Sequence, residues 1–236
     1  MYSVVIMNWL RPENVRFIVQ TYSDYAIIDE IIVSNGRMDT AISDDEKYPK
    51  IKCHDDFLLN STYGLDLRVL NGMRAKNRCL IICDDDLFLT VAEMEKLTKE
   101  FEKNTCRIVG KYGRQFRNGD YVVEDVYGEV DVVLTRFLVC ERQLCQLFFL
   151  CKPIIESLYI EGKPYGNGED IFLSFIAELF YGNRNVTIAG VKENSLPDKH
   201  GISHGSQHAS YRRNFCKYLI EKEALIKSLL VTISKK

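Results

Sequence analysis

Residues 79–86 read CLIICDDD, a short apolar run of β-forming residues that ends on three consecutive aspartates. An apolar run bounded in this way predicts a strand covered on both faces, as in the sheet of an α/β protein. Asp84, Asp85 and Asp86 then follow the carboxyl end of the strand, where open α/β sheets bind their ligands. Adjacent carboxylates repel one another unless a cation or protonation relieves the repulsion. The stretch therefore predicts a Mg²⁺ or Mn²⁺ site that a bound phosphate completes.

The alternative for this triplet is a solvated turn or a helix cap. A better cap lies downstream, where Thr90 and Glu93 form a capping-box pattern before a helix predicted at residues 94–101. Because the helix has that cap, it does not need the three aspartates. The metal–phosphate interpretation is therefore preferred.

Upstream of the triplet, β-forming runs alternate with helical patterns. Strands are predicted at residues 3–7, 27–34 and 51–53, and helices at residues 15–22, behind Pro12, and 60–75. This alternation predicts βαβ units around a parallel sheet. We therefore expect an α/β fold in which residues 1–105 form a Rossmann-like nucleotide-binding half.

The pattern changes in residues 106–236, the second half of what we expect to be a single domain. Strands are predicted at 107–116, 121–124 and 130–134, with Asn118-Gly119 as a turn. Residues 139–151 are apolar and fit either a strand or a helix. Helices are expected at 153–159, 171–180 and about 214–230, and a strand at 185–190.

Composition excludes some functions. The net charge of −2 argues against non-specific nucleic-acid binding. No apolar segment reaches the length needed to cross a bilayer, and the first residues do not read as a secretory signal. Eight cysteines lack metal-ligand spacing, and several lie in apolar runs, so reduced thiols are expected. These features predict a cytoplasmic protein without a membrane span.

A second acidic motif follows the glycine-rich residues 162–168. Glu169 and Asp170 open the helix predicted at 171–180, and a helix N-terminus favours the ionised form of both acids. The alternative is that one acid simply caps the helix. A cap does not require Gly166-Asn167-Gly168, which permits a ligand close to the backbone. We therefore expect the pair to be functional.

Three histidines recur every fourth residue at His200, His204 and His208. Intervening glycines make a continuous helix doubtful, so a loop that encloses a pyrophosphate is favoured over a dedicated zinc site. His208 and Arg212 are expected to bind the donor phosphates, and His204 is the candidate that completes the shell of the cation on Asp86. The alternative is solvated surface histidines.

The order of these motifs resembles a known family. CLIICDDD, GKYGRQF, VDVVLTRFLVC, GNGEDI and DKHGISHGSQHASYRR follow one another as in the catalytic domain of exostosin and exostosin-like glycosyltransferases of family 64. The resemblance runs from Val4 to about Arg213. It implies a GT-A fold with a mixed, mostly parallel central sheet flanked by helices, whose second half binds the acceptor. It also implies a cytosolic microbial or large-DNA-virus member, since no membrane anchor is present.

The resemblance also implies a role for each candidate residue. Asn35, Asn60 and Arg68 match residues that hold the uridine and diphosphate of a UDP-sugar. Asp84 matches an acid that reaches the ribose or a metal-bound water, with Asp85 beside it, and Asp86 matches the direct Mn²⁺ ligand. Asp170, with neighbouring Glu169, matches the acid at the reacting centre. Arg212 matches an arginine on the diphosphate, and a cation with an arginine neutralises such a leaving group.

The mechanism stays open at this point. Asp170 is a general base if the enzyme inverts the anomeric centre, and it stabilises an oxocarbenium ion or orients the acceptor if the enzyme retains it. The donor is UDP-xylose, UDP-GlcNAc, UDP-glucose or UDP-glucuronic acid, and the acceptor is an oligosaccharide or a glycoprotein glycan. Aromatic residues in the second half form either an acceptor-stacking wall or core: Tyr112, Phe116, Tyr121 and Tyr165.

Other functions use similar motifs. A haloacid-dehalogenase-like phosphohydrolase follows a buried strand with the pattern of Asp84 and Asp86, but it favours Thr or Val where Phe88 stands. A sugar-nucleotide pyrophosphorylase needs a glycine- and arginine-rich loop, which residues 8–12 do not provide. A non-catalytic sugar-binding module with a GT-A shell differs from the enzyme only in activity. Glycosyl transfer is the preferred interpretation.

Overall fold

The computed structural model describes residues 1–117, 120–155, 168–197 and 208–234. Its main feature is an eight-stranded sheet with the order β3-β2-β1-β4-β11-β6-β12-β9. The strands are β1 Tyr2–Asn8, β2 Ile28–Asn35, β3 Ile51–Asp55, β4 Cys79–Cys83, β6 Val109–Gly110, β9 Gly128–Val130, β11 Phe137–Glu141 and β12 Asn185–Thr187. Short ladders join β7 Gly113–Arg117 to β8 Asp120–Val122 and β10 Val132–Val133, and β5 Leu87–Phe88 to β13 Asn194–Ser195.

Helices cover both faces of the large sheet. They are α1 Pro12–Ser23, α2 Phe57–Tyr63, α3 Leu67–Arg74, α4 Val91–Lys103, α5 Arg142–Ile155, α6 Glu169–Tyr181 and α7 His208–Ser234. One apolar cluster joins Val5 and Ile82 to α3, α5, α6 and α7, and another joins Ile6 and Ile81 to α1 and α4. Because neighbouring residues of a strand face opposite sides, β1 and β4 are buried on both faces. The expected α/β fold is confirmed.

Strand direction changes at the middle of the sheet. β3, β2, β1 and β4 are parallel, as expected for βαβ units. β11 then pairs antiparallel with both β4 and β6. Its first residue therefore lies beside the last residue of β4, with Phe137 opposite Cys83. The segment before β11 thus reaches the same edge as the aspartate triplet.

Two predicted elements are divided in the structure. The helix expected at 60–75 is split into α2, a 3-10 turn at Gly64–Asp66 and α3, because Gly64 adopts a φ of 51° that does not continue a helix. The strand expected at 107–116 is split into β6 and β7. The division falls next to Gly110, where the side chain of Val133 in β10 packs closely. A Cβ atom at Gly110 would lie 2.2 Å from Val133 Cγ1.

The ambiguous residues 139–151 contain both elements. β11 ends at Glu141, where its pairing partner β4 begins at Cys79, and α5 starts at the next residue. Pro153 lies inside α5, while residues 156–159 of the helix expected there are outside the described residues. The strand at 185–190 is shorter than expected, and the C-terminal helix is longer. Asn118-Gly119 lies outside the described residues, between the antiparallel strands β7 and β8.

Two further expectations concern cysteines and the membrane. All eight cysteines are unpaired thiols, and most of them are buried. Within the described ranges, no helix has both the length and the apolarity to cross a bilayer.

Candidate active site at the carboxyl edge of the sheet

The candidate site lies where the parallel strands end. Asn8 and Asn35 are neighbours at the ends of β1 and β2, and the aspartate triplet follows β4. Arg136, directly before the reversed strand β11, lies beside the triplet because its carbonyl oxygen accepts a hydrogen bond from the Asp84 amide at 3.0 Å. The sheet therefore brings segments from both halves of the chain to one edge.

Each aspartate of the triplet has an arginine from a different part of the chain. Arg68 Nη1 donates to Asp84 Oδ1 at 2.7 Å, and Arg11 forms an ion pair with Asp85. The third pair joins Arg136 Nε and Asp86 Oδ1 at 3.9 Å, and it is the longest of the three. The arginines relieve the repulsion that the sequence attributed to a metal or to protonation. The triplet is therefore compensated before any metal binds.

Asp85 is the least exposed member of the triplet. Burial raises the pKa of its carboxyl to about 6; Arg11 opposes the rise, and Asp84 and Asp86 add to it. Its side chain is 15% exposed, against 28% for Asp84 and 17% for Asp86. Asp85 thus has a structural partner in Arg11, and Asp84 is the most exposed member of the triplet.

The donor atoms at this edge fit a hard divalent cation that brings its own ligands. Among the residues that the structure describes, no three His, Cys, Asp or Glu side chains converge as a ready cage. Mg²⁺ and Mn²⁺ commonly use only one or two carboxylates and complete their shell with substrate phosphates and water. Asp86, the metal ligand expected from the sequence, has Arg136 Nε 3.9 Å from its Oδ1 atom.

Arg68 joins the triplet to the second acidic motif. Its guanidinium Nη1 also donates to Thr135 Oγ1 at 2.8 Å, and that hydroxyl donates to Glu169 Oε1 at 2.9 Å. Arg68 Nη1 lies 3.7 Å from the same Glu169 oxygen. Asp84, Arg68, Thr135 and Glu169 thus form one connected polar chain, and Arg68 is only 8% exposed.

Glu169 is buried with an incomplete set of partners. It is 2% exposed, and within the described part of the chain its Oε2 atom has no hydrogen-bond partner. Burial raises the pKa of Glu169 to about 7; the charge of Asp170 adds to the rise, and Arg68 and Thr135 oppose it. The sequence predicted an ionised Glu169 from the helix N-terminus alone. That expectation is wrong for Glu169, because burial outweighs the favourable position.

Asp170 has a strong ionic partner. Arg212 Nη2 donates to its Oδ2 at 2.7 Å, and the Ile171 amide donates to its Oδ1 at 2.8 Å. The Arg212 guanidinium also lies over the Tyr121 ring, with Cζ 4.9 Å from the ring centroid. Arg212 on α7 and Asp170 on α6 therefore come together as a buried ion pair.

Gly168 has a packing role that the sequence did not indicate. A Cβ atom at this position would lie 2.6 Å from Cε1 of Phe215. The missing side chain thus lets α7 pack against the start of α6. Gly166 and Asn167, the rest of the expected ligand approach, lie outside the described residues.

The two candidate asparagines, Asn35 at the end of β2 and Asn60 in α2, differ in their environment. Asn35 is fully buried: its Oδ1 accepts from Asn8 Nδ2 at 2.9 Å, and its Nδ2 donates to the Ile42 carbonyl at 2.8 Å. Asn60 is half-buried, and a Cβ atom at Gly36 would lie 3.4 Å from its Cγ and 3.5 Å from Trp9 Cδ1. Asn35 therefore fixes the loop after β2, while Asn60 and Trp9 flank it.

Several site residues were missed by the sequence reasoning. Arg11, Thr135, Arg136 and Glu193 all contact acids of the site or one another, but only Arg11 carried a local signal, its place just after the first strand. His204 and His200 lie outside the described residues, and of His208 only its position at the start of α7 is described. Tyr112 and Tyr121 are core residues, 5% and 6% exposed, Phe116 is partly buried, and Tyr165 is outside the described residues.

The chain is similar to known proteins in sequence and in fold. A curated relative, glycosyltransferase family protein 64 C3 of Arabidopsis thaliana, is 24% identical over 174 residues, which cover 68% of this chain. The chain spans about half of that relative, 52% of its length. A mannosyltransferase from Pyrobaculum calidifontis, solved in complex with GDP-Man and Mn²⁺, has a TM-score of 0.54 and 13% identity.

The structural likeness covers 98% of this chain and 73% of the mannosyltransferase, and it shows a GT-A-like glycosyltransferase fold. At the level of sequence families, residues 2–230 match the glycosyl transferase family 64 domain. This match supports glycosyl transfer rather than the phosphohydrolase alternative. Because it extends over nearly the whole chain, the protein belongs to glycosyl transferase family 64.

Proposed function

We propose that this protein transfers a sugar from a UDP-sugar to a hydroxyl group of a glycan acceptor, with Mn²⁺ or Mg²⁺ held at Asp86. The observation that carries the proposal is the polar chain from Asp84 through Arg68 and Thr135 to Glu169. It couples the acids that suit a cation and diphosphate to the acids that suit the reacting sugar. Both functions of a nucleotide-sugar transferase thus fall within one crevice.

The diphosphate of the donor is assigned to the region of the triplet. When bound, the divalent cation supplies neutralising charge for the departing diphosphate. Arg11 and Arg212 lie in the site as ion-pair partners of Asp85 and Asp170, and Arg68 positions Asp84. Uridine is assigned to the crevice beside Asn60 and Trp9, where Asn35 fixes the loop after β2.

The choice of UDP rests on the resemblance to exostosin-like enzymes. The Pyrobaculum calidifontis mannosyltransferase was solved with GDP-Man, which supports a nucleotide-sugar donor in general. Its donor contains guanine, whereas a UDP-sugar contains uracil. UDP and GDP therefore have to be compared directly.

Asp170 is proposed as the acid at the reacting centre, a general base if the enzyme inverts or a stabiliser of positive charge at the anomeric carbon if it retains. Arg212 donates to its Oδ2 atom at 2.7 Å and fixes the orientation of this carboxylate. Its neighbour in the chain, Glu169, lies 3.7 Å from Arg68 Nη1.

A thermal melt tests the donor site without knowledge of the acceptor. Wild type, Asp86→Asn and Asp29→Asn are melted with UDP, with GDP and with neither, each in Mn²⁺ and in EDTA. Asp29 is the matched control, because it is also an ion-paired aspartate but lies at the start of β2, on the opposite edge. A ligand at one hundred times its Kd stabilises the folded state by about 2.7 kcal/mol.

We expect a Mn²⁺-dependent rise in Tm with UDP, larger than with GDP, in wild type and Asp29→Asn but not in Asp86→Asn. Hydrolysis of a panel of UDP-sugars by wild type then separates an enzyme from a sugar-binding module. A rise with GDP alone would replace UDP by GDP in the proposal. No response to either nucleotide would refute the donor site.

A further inference from the structure

Arg136 lies between two carboxylates that belong to different segments. Its Nε atom is 3.9 Å from Asp86 Oδ1, and its Nη2 atom is 3.7 Å from Glu193 Oε1. The side chain is 37% exposed, so neither contact is locked by surrounding protein. The guanidinium is thus shared between the carboxylate proposed to bind the cation and a second acid nearby.

Glu193 is held next to the triplet by its own segment. β13 begins one residue later and pairs with β5, which follows the triplet directly. The Leu196 amide donates to the Asp86 carbonyl oxygen at 2.7 Å. Glu193 therefore remains close to Asp86 whichever acid the arginine contacts.

Tyr112 offers a surface along which the arginine can move. Arg136 Cζ lies 4.6 Å from the centroid of its ring, and Lys111 Nζ lies 4.3 Å from the same centroid. Lys111 Nζ also contacts Glu193 Oε2 at 3.1 Å, which leaves Oε1 facing Arg136. A guanidinium stacked on an aromatic face can change its ionic partner while it keeps that stacking.

A divalent cation on Asp86 and a guanidinium in contact with Asp86 repel each other. At a partly exposed site, charges a few ångströms apart interact appreciably even after solvent screening. Binding of the cation therefore opposes the Asp86–Arg136 contact, and the contact opposes binding of the cation. Glu193 is the acid placed to receive the displaced guanidinium.

We propose that Arg136 is an internal competitor of the divalent cation and that Glu193 sets the strength of this competition. Arg136 compensates Asp86 in the metal-free protein and passes to Glu193 when the cation binds. Arg136 is thus a positioning residue that tunes metal affinity through Asp86. The inference rests on the proposed function in one respect, the placement of the cation on Asp86.

Titration with Mn²⁺ alone, followed by the electron paramagnetic resonance of free Mn²⁺, measures this competition without any turnover. Arg136→Met should lower the Kd for Mn²⁺ by about three- to tenfold, in line with the loss of one partly screened positive charge beside the site. Arg136→Lys keeps the charge and should remain within about twofold of wild type. Glu193→Gln should raise the Kd by about threefold, because Arg136 then stays on Asp86.

Arg184→Met is the matched control. Arg184 is also 37% exposed and also pairs with two carboxylates, Asp131 and Glu178, but it precedes β12 on the opposite edge of the sheet. Arg184→Met removes the same charge far from Asp86, so the Kd for Mn²⁺ should equal that of wild type. Thermal melts of all variants without metal check that each one is folded.

The double variant Arg136→Met/Glu193→Gln decides how Glu193 acts. If Glu193 works through Arg136, Glu193→Gln raises the Kd more in the wild-type background than in the Arg136→Met background, where only its direct attraction for the cation is lost. An equal effect in both backgrounds, or an unchanged Kd in Arg136→Met, would overturn the inference. Failure of the proposed function looks different: wild type would not bind Mn²⁺, or Asp86→Asn would bind it as well as wild type does.

Discussion

The two acidic motifs of the site differ in how their charges are compensated. The triplet aspartates have side chains that are 28%, 15% and 17% exposed, and each pairs with a separate arginine from another segment. Glu169 and Asp170 have side chains that are only 2% and 5% exposed, and they depend on Arg68, Thr135 and Arg212 within the protein. The triplet is therefore compensated at a partly exposed surface, whereas the buried pair is compensated within the protein interior.

Arg68→Met should produce the largest effect, because it removes the one residue that serves both motifs. Loss of one partner of a buried ion pair leaves uncompensated charge, so we expect the free energy of unfolding to fall by about 3–5 kcal/mol. Denaturation in urea measures this loss. Arg37→Met is the control, since the exposed Arg37–Asp39 pair is screened by solvent and contributes little to stability. A loss as small as that of the control would mean that the two motifs are not coupled through Arg68.

The variant Glu169→Gln should differ from wild type in how its stability depends on pH. The pKa of Glu169 is raised to about 7 from 4.5, so the folded state binds more protons than the unfolded state between those values. The free energy of unfolding contributed by this group therefore falls as pH rises through that window, by up to about 3 kcal/mol. Thermal melts at several pH values should give similar Tm values for Glu169→Gln and wild type near pH 4.5. As pH rises toward 8, the Tm of Glu169→Gln should rise relative to that of wild type. Parallel curves for the two proteins would contradict the raised pKa.

Gly168→Ala should have a smaller effect, and it tests whether packing fixes the buried pair. The new methyl group would meet the Phe215 ring at 2.6 Å, and overpacking of this kind costs about 1–3 kcal/mol. Urea denaturation of Gly168→Ala and of Gly168→Ala/Phe215→Leu measures the loss and its relief. If Gly168→Ala lowers the free energy of unfolding equally with phenylalanine and with leucine at position 215, contact with α7 is not the reason for glycine at position 168.

Local patterns were enough to predict part of the molecule. Strand β4, the cap at Thr90, where the hydroxyl accepts from the Glu93 amide at 3.4 Å, and the opening of α6 by Glu169 all depend on a few neighbouring residues. The order of strands and helices then indicated that the triplet lies at the carboxyl edge. These elements are predictable because hydrophobic period, capping and turn residues act over short distances.

The ionic partners of the acids could not be predicted in this way. Arg68 and Thr135 are 67 residues apart, and Arg11 and Asp85 are 74 residues apart. Such pairs depend on which strands become neighbours, and the reversal of β11 left no local mark in the sequence. The raised pKa of Glu169 was missed for the same reason, since burial arises from tertiary packing.

The reversed strand β11 divides the crevice into parts of separate origin. Segments that leave the parallel strands supply Arg11 and the triplet, while a segment that enters a strand supplies Thr135 and Arg136. A change of loop length before β11 would alter the wall formed by Thr135 and Arg136. The loops that follow β1 and β4 would keep their own contacts. Sequence drift, or deliberate loop exchange, can therefore diversify what this wall accepts while the rest of the crevice is inherited unchanged.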